Sequence, residues 1–214
     1  MRVLVMAKAP VPGLAKTRLA AVVGDEAAAD LAAACLLDTI SACREATADC
    51  TIALTGVLGD ALRAEEIRAA LAGWTILWQR GEAFAERLAN AHLDAGPGPL
   101  LQIGTDTPQV TAAQLRAVAD VLADHDTVLG PADDGGWWVL GRHDAAQAEA
   151  LRDVPTSTPT TGDDTRAALV AHGLSVGLVE TLRDVDTVDD TKVVAAAAPG
   201  TRFARAWVAT GARS

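Results

Sequence analysis

The sequence predicts an α/β fold: one mixed, mainly parallel sheet with helices on both faces. Three observations predict it. Short apolar, strand-like runs alternate with longer helix-like segments almost to the end of the chain. The first such run passes directly into a basic loop stiffened by Pro10, Pro12 and Gly13, which forbid its continuation. The residues richest in chemistry fall in four loops, 8–18, 79–81, 104–108 and 131–136, each after a strand-like run. In open α/β sheets ligands gather outside the carboxyl ends of strands.

Each element follows from its residues. Arg2–Ala7 is apolar enough for a buried strand. Asp25 is placed to cap a helix running to about Thr47, with Leu31, Cys35 and Ile40 on one face. Thr51–Thr55 reads as a strand, residues 60–71 as a helix, Trp74–Trp78 as a strand and Glu82–Ala95 as a helix. Leu100–Ile103 is a further strand, ending at Gly104-Thr-Asp-Thr-Pro108. Thr111-Ala-Ala-Gln114 is a capping-box pattern opening a helix to about Asp124. Thr127–Leu129 and Trp137–Leu140 are strands separated by Pro131-Ala-Asp-Asp-Gly-Gly136, and a helix near 163–172 precedes a last strand at 175–179. No linker or internal repeat divides the chain, so one domain over 1–214 is expected.

Half of the 214 residues are hydrophobic and 21% are charged, the composition of a packed protein. The formal net charge of -10 argues against nucleic acid as partner, since duplex binding rests on neutralising many phosphates. Cys35, Cys43 and Cys50 lack the paired spacing of a metal site and are expected as buried free thiols in a reducing cytoplasm. No signal peptide is evident, and nothing approaches the ~20 apolar residues of a membrane span.

Lys8, Lys16 and Arg18 place three cations close together on an acidic protein, which suits a phosphate-bearing ligand. Lys16-Thr17 looks like the end of a Walker A loop, but Pro10 and Ala15 stand where that motif needs glycine. Asp106 sits on a tight turn at a strand end, suited to Mg²⁺ shared with phosphate oxygens or to an Asx-turn before Pro108. Alternation puts Asp184 and Asp186 on one side of an extended segment; Asp186 or Thr187 could equally cap a following helix. Asp133-Asp134-Gly135-Gly136 reads as a sharp bend beside a ligand or as a plain hairpin turn. Trp137 and Trp138 must point to opposite faces, so one can fill the core while the other walls a pocket. The four histidines show no ligand spacing, and zinc is not indicated.

Taken in order, Lys8-Ala-Pro-Val-Pro-Gly-x-x-Lys-Thr-Arg-Leu19, Gln79-x-Gly81 with Glu86-Arg-Leu88, Gly104–Pro108, Gly130–Gly136 and Asp184–Thr187 resemble a provisionally assigned bacterial family of GT-A glycosyltransferases. Some of its members carry an arsenosugar-biosynthesis label. The family lies within the nucleotide-diphospho-sugar transferase superfamily and is related to the 2-phospho-lactate guanylyltransferases. The resemblance spans roughly residues 2–190. It implies a single GT-A-like domain. Lys8, Pro12, Gly13, Lys16, Arg18, Gln79, Gly81 and Thr105 would bind the nucleotide, with Lys16 and Asp106 also catalytic. Asp106 and Asp186 would hold Mg²⁺ or Mn²⁺, and Asp133, Asp134, Gly135, Gly136 and Trp137 would face the acceptor. Two departures stand out: Trp137-Trp138 replaces the relatives' Tyr-Tyr, and the acidic motif is Thr-Asp-Thr rather than Asp-x-Asp.

The expected partners are a nucleotide sugar or nucleoside triphosphate and a small-molecule acceptor. Glycosyl transfer leads, nucleotidyl transfer with pyrophosphate release is the alternative, and a non-catalytic nucleotide-binding regulator is the reading from another class.

Overall fold

The computed structural model describes residues 1–211. Its elements are β1 (Arg2–Lys8), α1 (Thr17–Val23), α2 (Asp25–Ala46), β2 (Cys50–Thr55), α3 (Ala64–Ala70), β3 (Thr75–Trp78), α4 (Phe84–Asp94) and β4 (Leu100–Ile103). They continue with α5 (Ala112–Leu122), β5 (Thr127–Pro131), β6 (Trp137–Arg142), α6 (Thr161–Ala171), β7 (Val176–Leu178), α7 (Val188–Ala197) and α8 (Arg202–Ala209). Short 3-10 segments lie at Leu58–Asp60 and Ala145–Leu151.

The strands form one seven-stranded sheet in the order β3-β2-β1-β4-β6-β5-β7. Every neighbouring pair is parallel except those of β6, which runs antiparallel to both β4 and β5. This reversal brings the start of β6, not its end, to the edge where β1, β2 and β4 finish. The 132–136 turn therefore joins the loops that follow the parallel strands.

Alternating side chains fill both faces. Val3, Val5, Ile52 and Ile103 pack with Leu36 and Ile40 of α2, Ile67 of α3 and Leu115 and Val118 of α5. Leu4, Met6, Ala53 and Leu140 pack on the other face with Leu88 of α4, Leu151 of the second 3-10 segment and Leu169 of α6. A third cluster joins Leu19 of α1, Leu31 and Cys35 of α2, Val194 of α7 and Phe203 and Trp207 of α8. Asp38 of α2 accepts from the backbone N–H of Arg202 and Phe203, fastening α8 by its first turn. Thr111 and Gln114 make the expected capping box. All three cysteines are free and buried. Among the described residues no helix is long and apolar enough to cross a membrane.

Some elements differ from expectation. Asp25 does not cap α2: Gly24 occupies the cap, and Asp25 is the first helical residue. The basic loop ends earlier, because Thr17 and Arg18 already belong to α1. The 3-10 segment at 145–151, α7 and α8 were not expected; two of the three are alanine-rich, so their apolar faces show little contrast in the sequence.

One buried polar group predicts a pH response. Arg142 is fully buried in β6 and donates to the carbonyls of His92, Gly96 and Gly98 and to His92 Nδ1. Burial, with Arg142 beside the ring, pushes the His92 pKa down from 6.5 to about 3. Between those values the unfolded chain takes up a proton that the folded one refuses. Stability from this group is therefore complete above about pH 6.5 and is lost as pH falls towards 3. The expected slope is roughly 1.4 kcal/mol per pH unit. Urea unfolding of wild type and His92→Gln across pH 4–7 should show a shallower fall in the variant; parallel slopes would refute the assignment.

Candidate active site

Lys16 organises the site from beneath. It ends the basic loop in the left-handed region at φ 43, turning its side chain inward as α1 begins. Its ammonium donates to Asp106 Oδ1 at 2.6 Å and to the carbonyl of Val185 at 2.5 Å. The side chain is only 7% exposed, against 58% for Asp106. Burial would lower the Lys16 pKa, but Asp106, with Cys35 and Asp186 behind it, reverses the effect and holds the amine charged. The backbone N–H of Val185 donates in turn to the Asp106 carbonyl at 2.7 Å. The turn after β4 and the segment before α7 are thus fastened twice.

That fastening presents Asp184 and Asp186 on the same side, as alternation predicts, with Val185 fully buried between them. Asp186 accepts from Arg18. Asp184 Oδ1 is buried without any hydrogen-bond partner. Burial first, then the nearby Asp106 and Asp134 carboxylates, push the Asp184 pKa up to about 7. Thr187, not Asp186, caps α7, through a capping box with Asp190.

These groups border a cleft of about 720 Å³ along the sheet edge. On the β1 side it is lined by Lys8, Arg18 and Gln79, and across from them by Thr105, Asp106 and Asp186. Lys8 donates to the Leu14 carbonyl, and the Gln79 amide ties Ala7 to Ala53 at the ends of β1 and β2. Gly104 has open space beside it and faces the cleft. Asp134, Gly136 and Trp137 come from the hairpin turn. The two tryptophans divide as expected: Trp138 is 2% exposed in the core, whereas Trp137 packs on the opposite face and is oriented by an Nε1 bond to Thr165 Oγ1.

The remaining expected residues stand behind this surface. Lys16 lies under Asp106 and does not line the cleft, nor do Pro12 and Gly13. Gly81 adopts φ 122 against Glu86, whose carboxylate accepts from the Glu82 N–H. Asp133 pairs with Arg183 at 3.0 Å. Gly135 abuts the Pro159 carbonyl, where a Cβ would come within 1.9 Å, and its own carbonyl accepts from Gly162.

One wall is only partly anticipated by the sequence, through Arg87 and Leu88 of the Glu86-Arg-Leu88 motif. It consists of Phe84, Arg87 and Leu88 of α4 and the loop 156–159. The hydroxyl-rich run Pro155-Thr-Ser-Thr-Pro-Thr-Thr161 was the available signal, being a turn-type composition between two apolar segments.

The donor set fits a hard divalent cation shared with a ligand. Four carboxylates line the cleft (Asp106, Asp134, Asp184, Asp186) against three cations (Lys8, Arg18, Arg87), a poor host for polyphosphate unless a cation intervenes. The orphaned Asp184 oxygen is a buried acceptor lacking a donor. Among the described residues no three His, Cys, Asp or Glu side chains converge into a closed cage. One or two carboxylates plus phosphate oxygens is the arrangement Mg²⁺ commonly takes.

Comparison with known proteins places this geometry in a group. Residues 18–158 match the family described as "Uncharacterized protein conserved in bacteria (DUF2064)". No curated protein matches the chain at a significant level. Among solved structures it is similar to a protein from Desulfovibrio desulfuricans G20 provisionally named a nucleotide-diphospho-sugar transferase. That likeness has 26% identity and a TM-score of 0.81, covering 96% of this chain and 91% of the other. Rv0371c of Mycobacterium tuberculosis H37Rv, solved in complex with manganese, is 22% identical with a TM-score of 0.53, over 91% of this chain and 98% of that one. A CMP:2-keto-3-deoxy-manno-octonic acid synthetase complexed with CTP is 13% identical with a TM-score of 0.56, over 92% and 98%. The fold is therefore that of the nucleotide-diphospho-sugar transferases.

Proposed function

Since the chain belongs to the bacterial family DUF2064, we propose that it is a metal-dependent transferase using a nucleotide-activated donor, with glycosyl transfer to a small acceptor as its reaction. The observation that carries the reading is the Lys16-anchored Asp106 set beside the buried, unpartnered Asp184 oxygen at the edge where β1 and β4 end. Lys8 and Arg18 flank the same cleft and take the donor phosphates. Asp106 and Asp186, with Asp184 beside them, would share Mg²⁺ or Mn²⁺ with the donor phosphates. When bound, the ion neutralises charge on the departing diphosphate.

The chain's own residues do the positioning. Lys16 holds Asp106 in place through its 2.6 Å ion pair, so the carboxylate does not reorganise when the donor binds. Trp137 offers an aromatic face to the acceptor, and Thr156 and Ser157 offer hydroxyls beside it. An acceptor oxygen attacks the anomeric carbon, the bond to the diphosphate oxygen breaks, and nucleoside diphosphate leaves. The likeness to the CTP-bound synthetase supports the second reading, nucleotidyl transfer, in which a substrate oxygen attacks the α-phosphorus and pyrophosphate leaves. The protein acts in the cytoplasm in either case, where both kinds of donor are made.

GDP, UDP and GTP, each with Mg²⁺ or Mn²⁺, are expected to raise the melting temperature by several degrees for at least one combination. No shift from any of them would sink both chemistries. With nucleotide sugars and triphosphates supplied in parallel, release of nucleoside diphosphate without pyrophosphate identifies glycosyl transfer, and pyrophosphate release identifies the alternative.

A further inference from the structure

The cleft has a second polar wall that neither the donor nor the metal uses. Arg87 lines it and has no carboxylate partner among the described residues, whereas Arg18, the cleft's other arginine, is paired with Asp186. Its Nη1 donates to the Glu82 carbonyl at 3.1 Å, and its guanidinium lies 5.5 Å over the Phe84 ring. Nε is buried without a hydrogen-bond partner, and Nη2 makes none either. The side chain is thus held by one nitrogen and one aromatic face, leaving Nη2 free to donate to a carboxylate or phosphate oxygen.

The loop that completes this wall carries an independent sign. Ser157 occupies the left-handed region at φ 62, one of three non-glycine residues with positive φ in the described chain. Glycine would sit there without strain, so a serine at that place keeps a side chain at a conformational cost. Neither the Ser157 nor the Thr156 hydroxyl makes a hydrogen bond, although Thr158, Thr160 and Thr161 in the same loop bond to one another. Both free hydroxyls belong to residues lining the cleft.

We infer that this wall is the acceptor's recognition site, and that the acceptor is a small hydroxylated molecule carrying an anionic group, phosphate or carboxylate, bound by the free Nη2 of Arg87 and oriented by Thr156 and Ser157. The inference rests on the transferase reading for the word acceptor, while the anion site stands on its own geometry. It makes Arg87 a specificity-determining residue, separate from the cations that flank Asp106.

Calorimetric titration of the full chain with inorganic phosphate, glycerol 3-phosphate and lactate distinguishes the two anions. Each is run with and without saturating Mg²⁺ and GDP or UDP, whichever gives the larger thermal shift. At least one anion is expected to bind wild type and to stay bound when nucleotide is added. Arg87→Gln should weaken it at least tenfold while leaving nucleotide affinity within twofold, with Arg87→Lys intermediate. Ser157→Gly should keep or raise the melting temperature yet weaken the same anion about threefold, so lost binding is not lost folding. The proposal is overturned if none of the three binds, if Arg87→Gln binds equally well, or if nucleotide displaces the anion and so claims Arg87 for the donor. Failure of every nucleotide to bind would refute the donor site instead, and the nucleotide-free titration would still decide Arg87.

Discussion

Asp184→Asn is expected to abolish metal-dependent nucleotide binding and to lower turnover at least ~100-fold, while raising the melting temperature of the ligand-free protein. The opposite signs arise from one cause. Asp184 is a buried carboxylate with an unpartnered oxygen, crowded by Asp106, Asp134 and Asp186. Desolvation and like charge oppose its ionisation, so the empty site carries a cost that a bound cation would offset. Asparagine has nearly the same shape and no charge. Removing the repulsion should stabilise the ligand-free fold by about 1 kcal/mol or more, roughly 2–4 °C for a chain of this size. Thermal melts with and without Mg²⁺ and nucleotide read both effects. A variant that is less stable when ligand-free, or one that keeps its metal-dependent shift, would remove Asp184 from the cation site.

Gly135→Ala should have the largest structural effect. The residue sits at φ 88, and an added Cβ would lie 1.9 Å from the Pro159 carbonyl oxygen, a backbone atom with no rotamer to escape into. The hairpin turn and the 155–162 loop must separate, breaking the bond from Gly162 N–H to the Gly135 carbonyl at 2.8 Å. Overpacking and lost contact together should cost about 3 kcal/mol, lowering the melting temperature by ~6–12 °C. Gly24→Ala is the control: it shares the same backbone region at φ 86 but has nothing within 4 Å, so it should cost only the conformational strain of about 1 kcal/mol. Nucleotide affinity should survive in Gly135→Ala, because Lys8, Arg18 and Asp106 lie on other segments, and turnover should fall through the acceptor side. Equal melting temperatures for the two variants would show that the contact is not tight in solution.

What the sequence disclosed follows from how each feature is encoded. The strands and most helices are legible because period-two and period-3.6 patterns are local, and Thr111 with Gln114 spells out its cap in four residues. Trp137 and Trp138 divide between cleft and core by alternation alone. The cations of the first loop are visible, but their direction is not. Lys16 turns inward because of a left-handed backbone that no local pattern announces, and so becomes Asp106's anchor rather than a surface grip. The weight of Asp184 over its neighbour Asp186 depends on burial and on the nearness of Asp106, 78 positions earlier in the sequence. Arg87 looks like any amphipathic-helix arginine until the absence of a carboxylate partner can be checked in three dimensions.

The Lys16 clamp also fixes when a newly made chain can become competent. Its two partners lie 90 and 169 residues further along the sequence, so the ammonium waits for both to be translated. β1, with its parallel neighbour β2, can pair early during synthesis, but the cleft acquires its floor only after residue 185 has left the ribosome. Until then Lys16 has Asp106 but not the Val185 carbonyl, and Arg18 has no Asp186. Release of the last segment is therefore the step that completes the cleft, whose two halves are encoded at opposite ends of the chain.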